Sequence, residues 1–224
     1  MKRVVTQELL DEHDAPRADM ERSLRDLRRF NRWAGGTRTY LRLLHRFAPH
    51  AKVVLDLGAG TADLLDALPA NVATIAVDLN IKHLLYERHR SRAMRVVADA
   101  NQLPFRDDSV DVVTSSHFFH HFEPEENASI LRGALRIARI GAIASDTHRH
   151  RLPFLFVKLL GILHLVGRIT AYDGPASVAR GYTPEEARAV GEMTGAPRVD
   201  VVKLMPFRLG LLLYKSASIC VICG

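Results

Sequence analysis

Four aspartates lie at or near the ends of short apolar runs. Asp56 falls within Val53-Val54-Leu55-Asp56-Leu57, Asp78 follows Ile75-Ala76-Val77, Asp99 follows Val96-Val97-Ala98, and Asp146 follows Ile143-Ala144-Ser145. Between the first two is a glycine turn, Gly58-Ala59-Gly60. Glycines lack the Cβ that would keep a ligand away from the backbone, and a helix start behind them would offer unpaired N–H groups. A carboxylate presents two acceptor oxygens side by side, enough for both hydroxyls of a ribose. Asp78 has that position. Asp99 could accept an exocyclic adenine amine while the N–H of Ala100 meets a ring nitrogen. One strand-end acid is often only a helix cap. Three at successive strand ends, after a glycine turn, point to a nucleoside-like ligand beyond the carboxyl ends of a parallel sheet.

Histidines supply the other chemistry. His117, His120 and His121 stand in Ser116-His117-Phe118-Phe119-His120-His121-Phe122, and His148 follows Asp146. Histidine titrates near neutrality, so His117, His120 and His148 are candidate general bases. His117 and His120, three apart, would share one side of a helical turn. Asp146 could orient one of them or merely cap its strand, and His121 also reads as a packed neighbour of Phe122.

The ligand can be narrowed. A dinucleotide turn carries a third glycine where this chain has Asp63, an acid where a pyrophosphate would sit, and no Gly-Lys-Ser/Thr phosphate loop is present. A sulfonium cofactor with a cationic amino-acid tail and no phosphate suits Asp56 and Asp63 better.

These residues need strands to hold them. Strands are expected over 52–57, 73–77, 95–98, 110–115 and 140–144, with helices over 62–68, 81–89 and 124–139 between them. Such alternation gives a parallel sheet with right-handed crossovers. Helices over 23–34 and 37–47 precede the first strand, so they are expected outside the alternating core, as an N-terminal cap over residues 1–50. Residues 51–224 form the α/β domain. An apolar stretch over 152–169 is expected as a helical lid, in an insertion of about 150–182. Thr183-Pro184-Glu185-Glu186 starts a further helix, and strands over 198–204 and 208–215 pair as a hairpin that makes the last strand antiparallel. The expected fold is a Rossmann-like, seven-stranded, mostly parallel sheet with helices on both faces.

Composition sets the remaining bounds. The chain has 224 residues, 47% hydrophobic and 25% charged, with a net charge of +6. Eight arginines and one acid fall between Arg22 and Arg46, a basic face that reads as solvated surface more readily than as a nucleic-acid footprint. Cys220 and Cys223 form one C-x-x-C, too few ligands for a zinc site, and no metal site is expected. No disulfide framework, signal peptide or membrane-spanning run is read, so a cytoplasmic location is expected.

The motifs Val54-Leu55-Asp56-Leu57-Gly58-Ala59-Gly60-Thr61, Val77-Asp78-Leu79-Asn80, Ala98-Asp99-Ala100-x-x-Leu103-Pro104-Phe105 and Ser109-Val110-Asp111-Val112-Val113 stand in order. In these the chain resembles class I S-adenosylmethionine-dependent methyltransferases. Ala62 departs from the family, which often has a glycine there. The resemblance implies S-adenosylmethionine as cofactor, bound by Asp56, Gly58, Ala59, Gly60, Asp78, Leu79, Asp99, Ala100 and Ser115. Residues 116–122 look like the ubiquinone/menaquinone-biosynthesis type, and the flanks, 26–36 and 145–152, look like a bacterial subgroup often linked to phenolic polyketides. The implied partner is a small aromatic or phenolic acceptor. O-methylation is the first reading and C-methylation of a quinol the alternative. An RNA or protein methyltransferase, or a non-catalytic cofactor-binding protein, are rival readings. They are opposed by the absence of an Asn/Asp-Pro-Pro-Tyr type motif and by the intact Asp78 and Asp99. Peripheral membrane contact and a monomer or homodimer are compatible with this reading.

Overall fold

The computed structural model describes residues 1–10 and 15–216, so the Cys220–Cys223 pair lies outside the described residues. In chain order the elements are α1 (Arg17–Trp33), α2 (Gly36–Phe47), β1 (Val53–Leu57), β2 (Ala73–Asp78), α3 (Ile81–Leu85), β3 (Met94–Val97), β4 (Val110–Ser116) and α4 (Pro124–Ile137). They continue with β5 (Ala138–Thr147), α5 (Arg151–Ile162), α6 (Arg168–Arg180), α7 (Pro184–Met193), β6 (Arg198–Leu204) and β7 (Arg208–Tyr214). The strands form one seven-stranded sheet in the order β3-β2-β1-β4-β5-β7-β6. All neighbours pair in parallel except β7, which is antiparallel to both β5 and β6.

Side chains alternate across a strand with period two, and the two cores follow from that. Leu55, Val113, Ala142 and Leu211 face one side, where Ile130, Leu131, Ala134 and Ile137 of α4 and Val190 of α7 pack. Their chain neighbours Val54, Val112, Ile143 and Leu212 face the other side, against Tyr40, Leu43, Leu44 and Phe47 of α2. Thus α2 belongs to the α/β core, and the expectation of two helices outside it fails for α2. Four apolar side chains on one face of a twelve-residue helix are what the sheet needs to cover that side.

Three helices differ from expectation. The segment 62–68 forms only a single 3-10 turn, Leu65–Ala67, because Ala62 is held at φ +61° and Pro69 follows too soon for a longer helix. The helix expected over 81–89 stops at Leu85. The apolar stretch 152–169 breaks after Ile162, and a second helix, α6, runs from Arg168 to Arg180. Small residues let α5 and α6 approach: a Cβ on Gly174 would stand 2.3 Å from Val157 Cγ1, and one on Gly161 would stand 3.0 Å from Ala171 Cβ. α1 fastens this pair. The Gly167 N–H donates to the buried Asp26 carboxylate at 2.7 Å, and the Thr170 hydroxyl lies 3.2 Å from that of Ser23.

Candidate active site

Beyond the carboxyl ends of β1, β2 and β4 lies a cavity of about 1310 Å³, roofed by α1, α5 and α6. A site for one small ligand runs to about 300–1,000 Å³, so this one has room for two molecules.

One end of the cavity is acidic. Asp56, Gly58, Ala59, Gly60, Asp63, Asp78, Leu79, Asp99 and Ala100 all line it. The Asp78 carboxylate accepts the Gly60 N–H at 2.9 Å and the Asn80 N–H at 2.8 Å. These bonds pin the glycine turn to the end of β2 and use about half of the carboxylate's acceptor sites. Gly58 and Gly60 have φ of +64° and +51°, a region open to glycine and strained for other residues. A Cβ on Gly58 would collide with Phe118 at 2.3 Å, whereas one on Gly60 would meet nothing within 4 Å. The space over Gly60 is therefore open to a ligand. Asp56 is buried, and Thr114 Oγ1 donates to it at 2.6 Å. Burial, with Asp63 and Asp78 adding repulsion, pushes its pKa up to about 7 against the one opposing bond. Four carboxyls and no lysine line this end, which fits a cationic, phosphate-free cofactor and not a pyrophosphate.

The other end is built on Asp146. Its carboxylate accepts the backbone N–H of His120 at 3.0 Å, that of Thr147 at 2.7 Å, and His120 Nδ1 at 2.8 Å. On the far side of the same ring, Nε2 stands 3.3 Å from Glu8 Oε1. His120 is 2% exposed. Burial alone would lower its pKa, but the Asp146 and Glu8 carboxylates outweigh it and raise the value to about 10. His120 is thus an imidazolium at neutral pH. Glu8 also accepts the Ser177 hydroxyl at 2.8 Å. It arrives on the N-terminal arm, which Asp173 holds through the N–H groups of Leu9 and Leu10. Arg180 donates to the carbonyls of Thr6, His120 and His121, joining that arm to the loop after β4.

His117 is held differently. Its Nε2 takes a short hydrogen bond from Arg208 Nη1, and its Nδ1 lies 3.8 Å from Asp146 Oδ1. Burial and the neighbouring guanidinium push its pKa down to about 3. The ring is neutral and its lone pair is occupied.

Among the residues expected to bind cofactor, only Ser115 is not on the cavity wall. It is buried in β4, in register with Leu57 and Ala144 on the flanking strands, and its neighbour Ser116 lines the cavity instead. Of the expected bases, His117 and His120 line the cavity and converge on Asp146, but neither has a free lone pair for an acceptor proton. His148 lies outside the cavity, its ring 6.1 Å from that of His150, because it follows the strand end on the side facing Glu185 and Lys203.

The comparisons with known proteins agree with this geometry. Residues 55–145 match the family model described as a methyltransferase domain. The chain is similar to a demethylmenaquinone methyltransferase of Roseiflexus sp. (strain RS-1), 30% identical over 152 residues, 62% of each chain. It therefore spans less than two thirds of that relative's length. The fold is similar to a SAM-dependent methyltransferase from Aquifex aeolicus, at TM-score 0.58 and 18% identity, covering 79% of this chain and 89% of that one. It is also similar to magnesium protoporphyrin IX methyltransferase from Synechocystis PCC 6803 with bound SAH, at TM-score 0.57 and 15% identity, covering 82% and 84%.

The sequence did not point to Glu8, Arg180 or Arg208. Glu8 lies in a charged segment with no periodicity. Arg208 had a usable signal: as the first residue of the antiparallel strand, it must emerge at the carboxyl ends of the parallel ones.

Removing one partner of a buried pair strands the other charge, at about 3–5 kcal/mol. Glu8→Ala is therefore expected to lower the unfolding free energy by that order and expose the N-terminal arm to protease. Urea unfolding and limited proteolysis check this, and a wild-type midpoint and cleavage pattern would show that the arm is not held by the pair.

Proposed function

We propose that this chain transfers a methyl group from S-adenosylmethionine to a small aromatic or phenolic acceptor. The observation that carries the reading is the single cavity, which joins the acidic glycine-turn end to an apolar compartment. Gly58, Gly60, Asp78 and Asp99 would hold the nucleoside, and Asp56 and Asp63 would face its cationic part. When bound, the cofactor supplies an electrophilic methyl carbon for in-line displacement. The protein's part is to align the acceptor and exclude water. Leu24, Phe30, Phe118, Phe156 and Leu160 line the compartment in which the acceptor would sit, and α1, α5 and α6 act as its lid. Methylation at oxygen is the first reading. C-methylation of a quinol is the second, supported by the names of the curated relatives. Histidine acts here by position: His120 holds the loop, and His117 holds Arg208.

The outward face of α5 exposes Leu155, Leu159 and Ile162. This supports peripheral contact with a lipid surface from which an apolar acceptor would enter. Among the described residues no helix is long and apolar enough to cross a membrane.

The direct test is incubation with methyl-labelled cofactor and a panel of phenols, quinols and tRNA, with products separated by mass. Label in a phenol or quinol is expected. Label in tRNA, or in nothing while cofactor still binds, would overturn the reading.

The raised pKa of Asp56 gives a second test. Near pH 7 its carboxyl is about half protonated, and a nearby positive charge favours the ionised form. Binding the cationic cofactor is expected to release a fraction of a proton at pH 7, and affinity should rise with pH up to about 7 and then level off. Calorimetry in buffers of different ionisation enthalpy measures the release, and Asp56→Asn should abolish it. Equal heats in all buffers would show that Asp56 does not sense the cofactor.

A further inference from the structure

The acceptor end of the cavity holds an unneutralised cation. Arg208 is 7% exposed and lines the cavity. A buried arginine is normally paired, because an unpaired buried charge is costly. Among the described residues, no carboxylate lies within salt-bridge distance of Arg208. Its hydrogen bonds run from Nη1, to His117 Nε2 and, at 3.5 Å, to Thr147 Oγ1. Neither Nε nor Nη2 has a partner among the described residues, and neither is sealed from the cavity. Asp146 is the nearest acid to affect it, but that carboxylate is already taken by His120 and two backbone N–H groups. His117, whose Nδ1 is 3.8 Å from Asp146, stands between the two.

Topology sets the direction. β7 runs antiparallel, with Thr147 opposite Arg208 in the register. Arg208 therefore stands beside the carboxyl end of β5 and opens toward the compartment under α5. A guanidinium presents a planar fork that matches the two oxygens of a carboxylate, or one oxygen bearing full charge.

We infer that Arg208 is the receptor for an oxyanion carried by the methyl acceptor, either a carboxylate or an ionised phenol. The inference rests on the methyltransferase reading and names its substrate class. An acceptor whose reacting oxygen is itself the ion needs no protein base, which accords with a site whose histidines are otherwise engaged. The ion also complements the cavity's opposite end, where acids face a cationic cofactor.

The experiment measures binding, so it is independent of turnover. Three probes are used: 4-hydroxybenzoate, its neutral methyl ester, and 4-nitrophenol, whose phenolate absorbs in the visible. Wild type is expected to bind 4-hydroxybenzoate tighter than the ester by about 10–100-fold, the range for charge-assisted hydrogen bonds. If phenolate is the natural form, wild type should also shift the 4-nitrophenol titration to lower pH. Arg208→Met should abolish the ester-versus-acid difference and the absorbance shift, and Arg208→Lys should retain part of each. S-adenosylmethionine affinity should stay within about threefold of wild type in both variants. If Arg208→Met does not fold, Arg208→Lys, which keeps the charge and loses the planar fork, carries the comparison, and an acid-versus-ester ratio unchanged from wild type there would overturn the assignment. Equal binding of acid and ester, with no shift of 4-nitrophenol, would overturn the assignment. So would a parallel loss of cofactor affinity in Arg208→Met, because the oxyanion would then be the cofactor's own carboxylate. Absence of cofactor binding in wild type would instead sink the methyltransferase reading.

Discussion

The positive charge of the His120 imidazolium, with Asp146 at Nδ1 and Glu8 at Nε2, holds the acceptor end of this molecule together. Its three members come from the N-terminal arm, the loop after β4 and the end of β5, separated by 112 and 26 positions in the chain. Two carboxylates cannot be buried this close without a cation between them. The imidazolium satisfies both, at the cost of tying all three segments to one geometry. The Arg180 guanidinium then bridges the carbonyls of the same loop and arm. The β4 loop, which carries Phe118 against Gly58, is thereby fixed from the far side. The glycine turn and the acceptor wall are set by one charge arrangement.

The cavity that results is bipolar. Asp56, Asp63, Asp78 and Asp99 stand at one end, and Arg208 with the protonated His120 at the other. Sheet topology imposes this: parallel strands deliver their carboxyl ends, and the one antiparallel strand delivers its first residue, to the same edge. Such an ordering of charge suits the proposed pairing of a cationic donor with an electron-rich acceptor.

Much of the cofactor end was legible in the sequence, because its signals are local. Gly58, Gly60, Asp78 and Asp99 follow strand ends whose apolar runs are unmistakable, and the sheet alternation follows from period two. What could not be read depended on distance in the chain. Glu8 has meaning only once the arm crosses the cavity to His120. The histidines looked like bases because titration range is a property of the free side chain, whereas Arg208, Asp146 and Glu8 decide it in the fold. The short turn at Leu65–Ala67 was missed because Ala62 takes a glycine-like conformation that its identity does not announce. α2 was misplaced because chain order, five residues ahead of β1, says nothing about which face of the sheet it covers.

The proton on His120 is open to direct observation. Long-range proton–nitrogen NMR of the histidine rings, recorded from pH 6 to pH 10 in the free protein, reports the state of each nitrogen. The account predicts that His120 holds protons on both nitrogens at pH 8 and titrates only near pH 10. A His120 ring with a single protonated nitrogen at pH 8, titrating near the ordinary value of about 6.5, would contradict it.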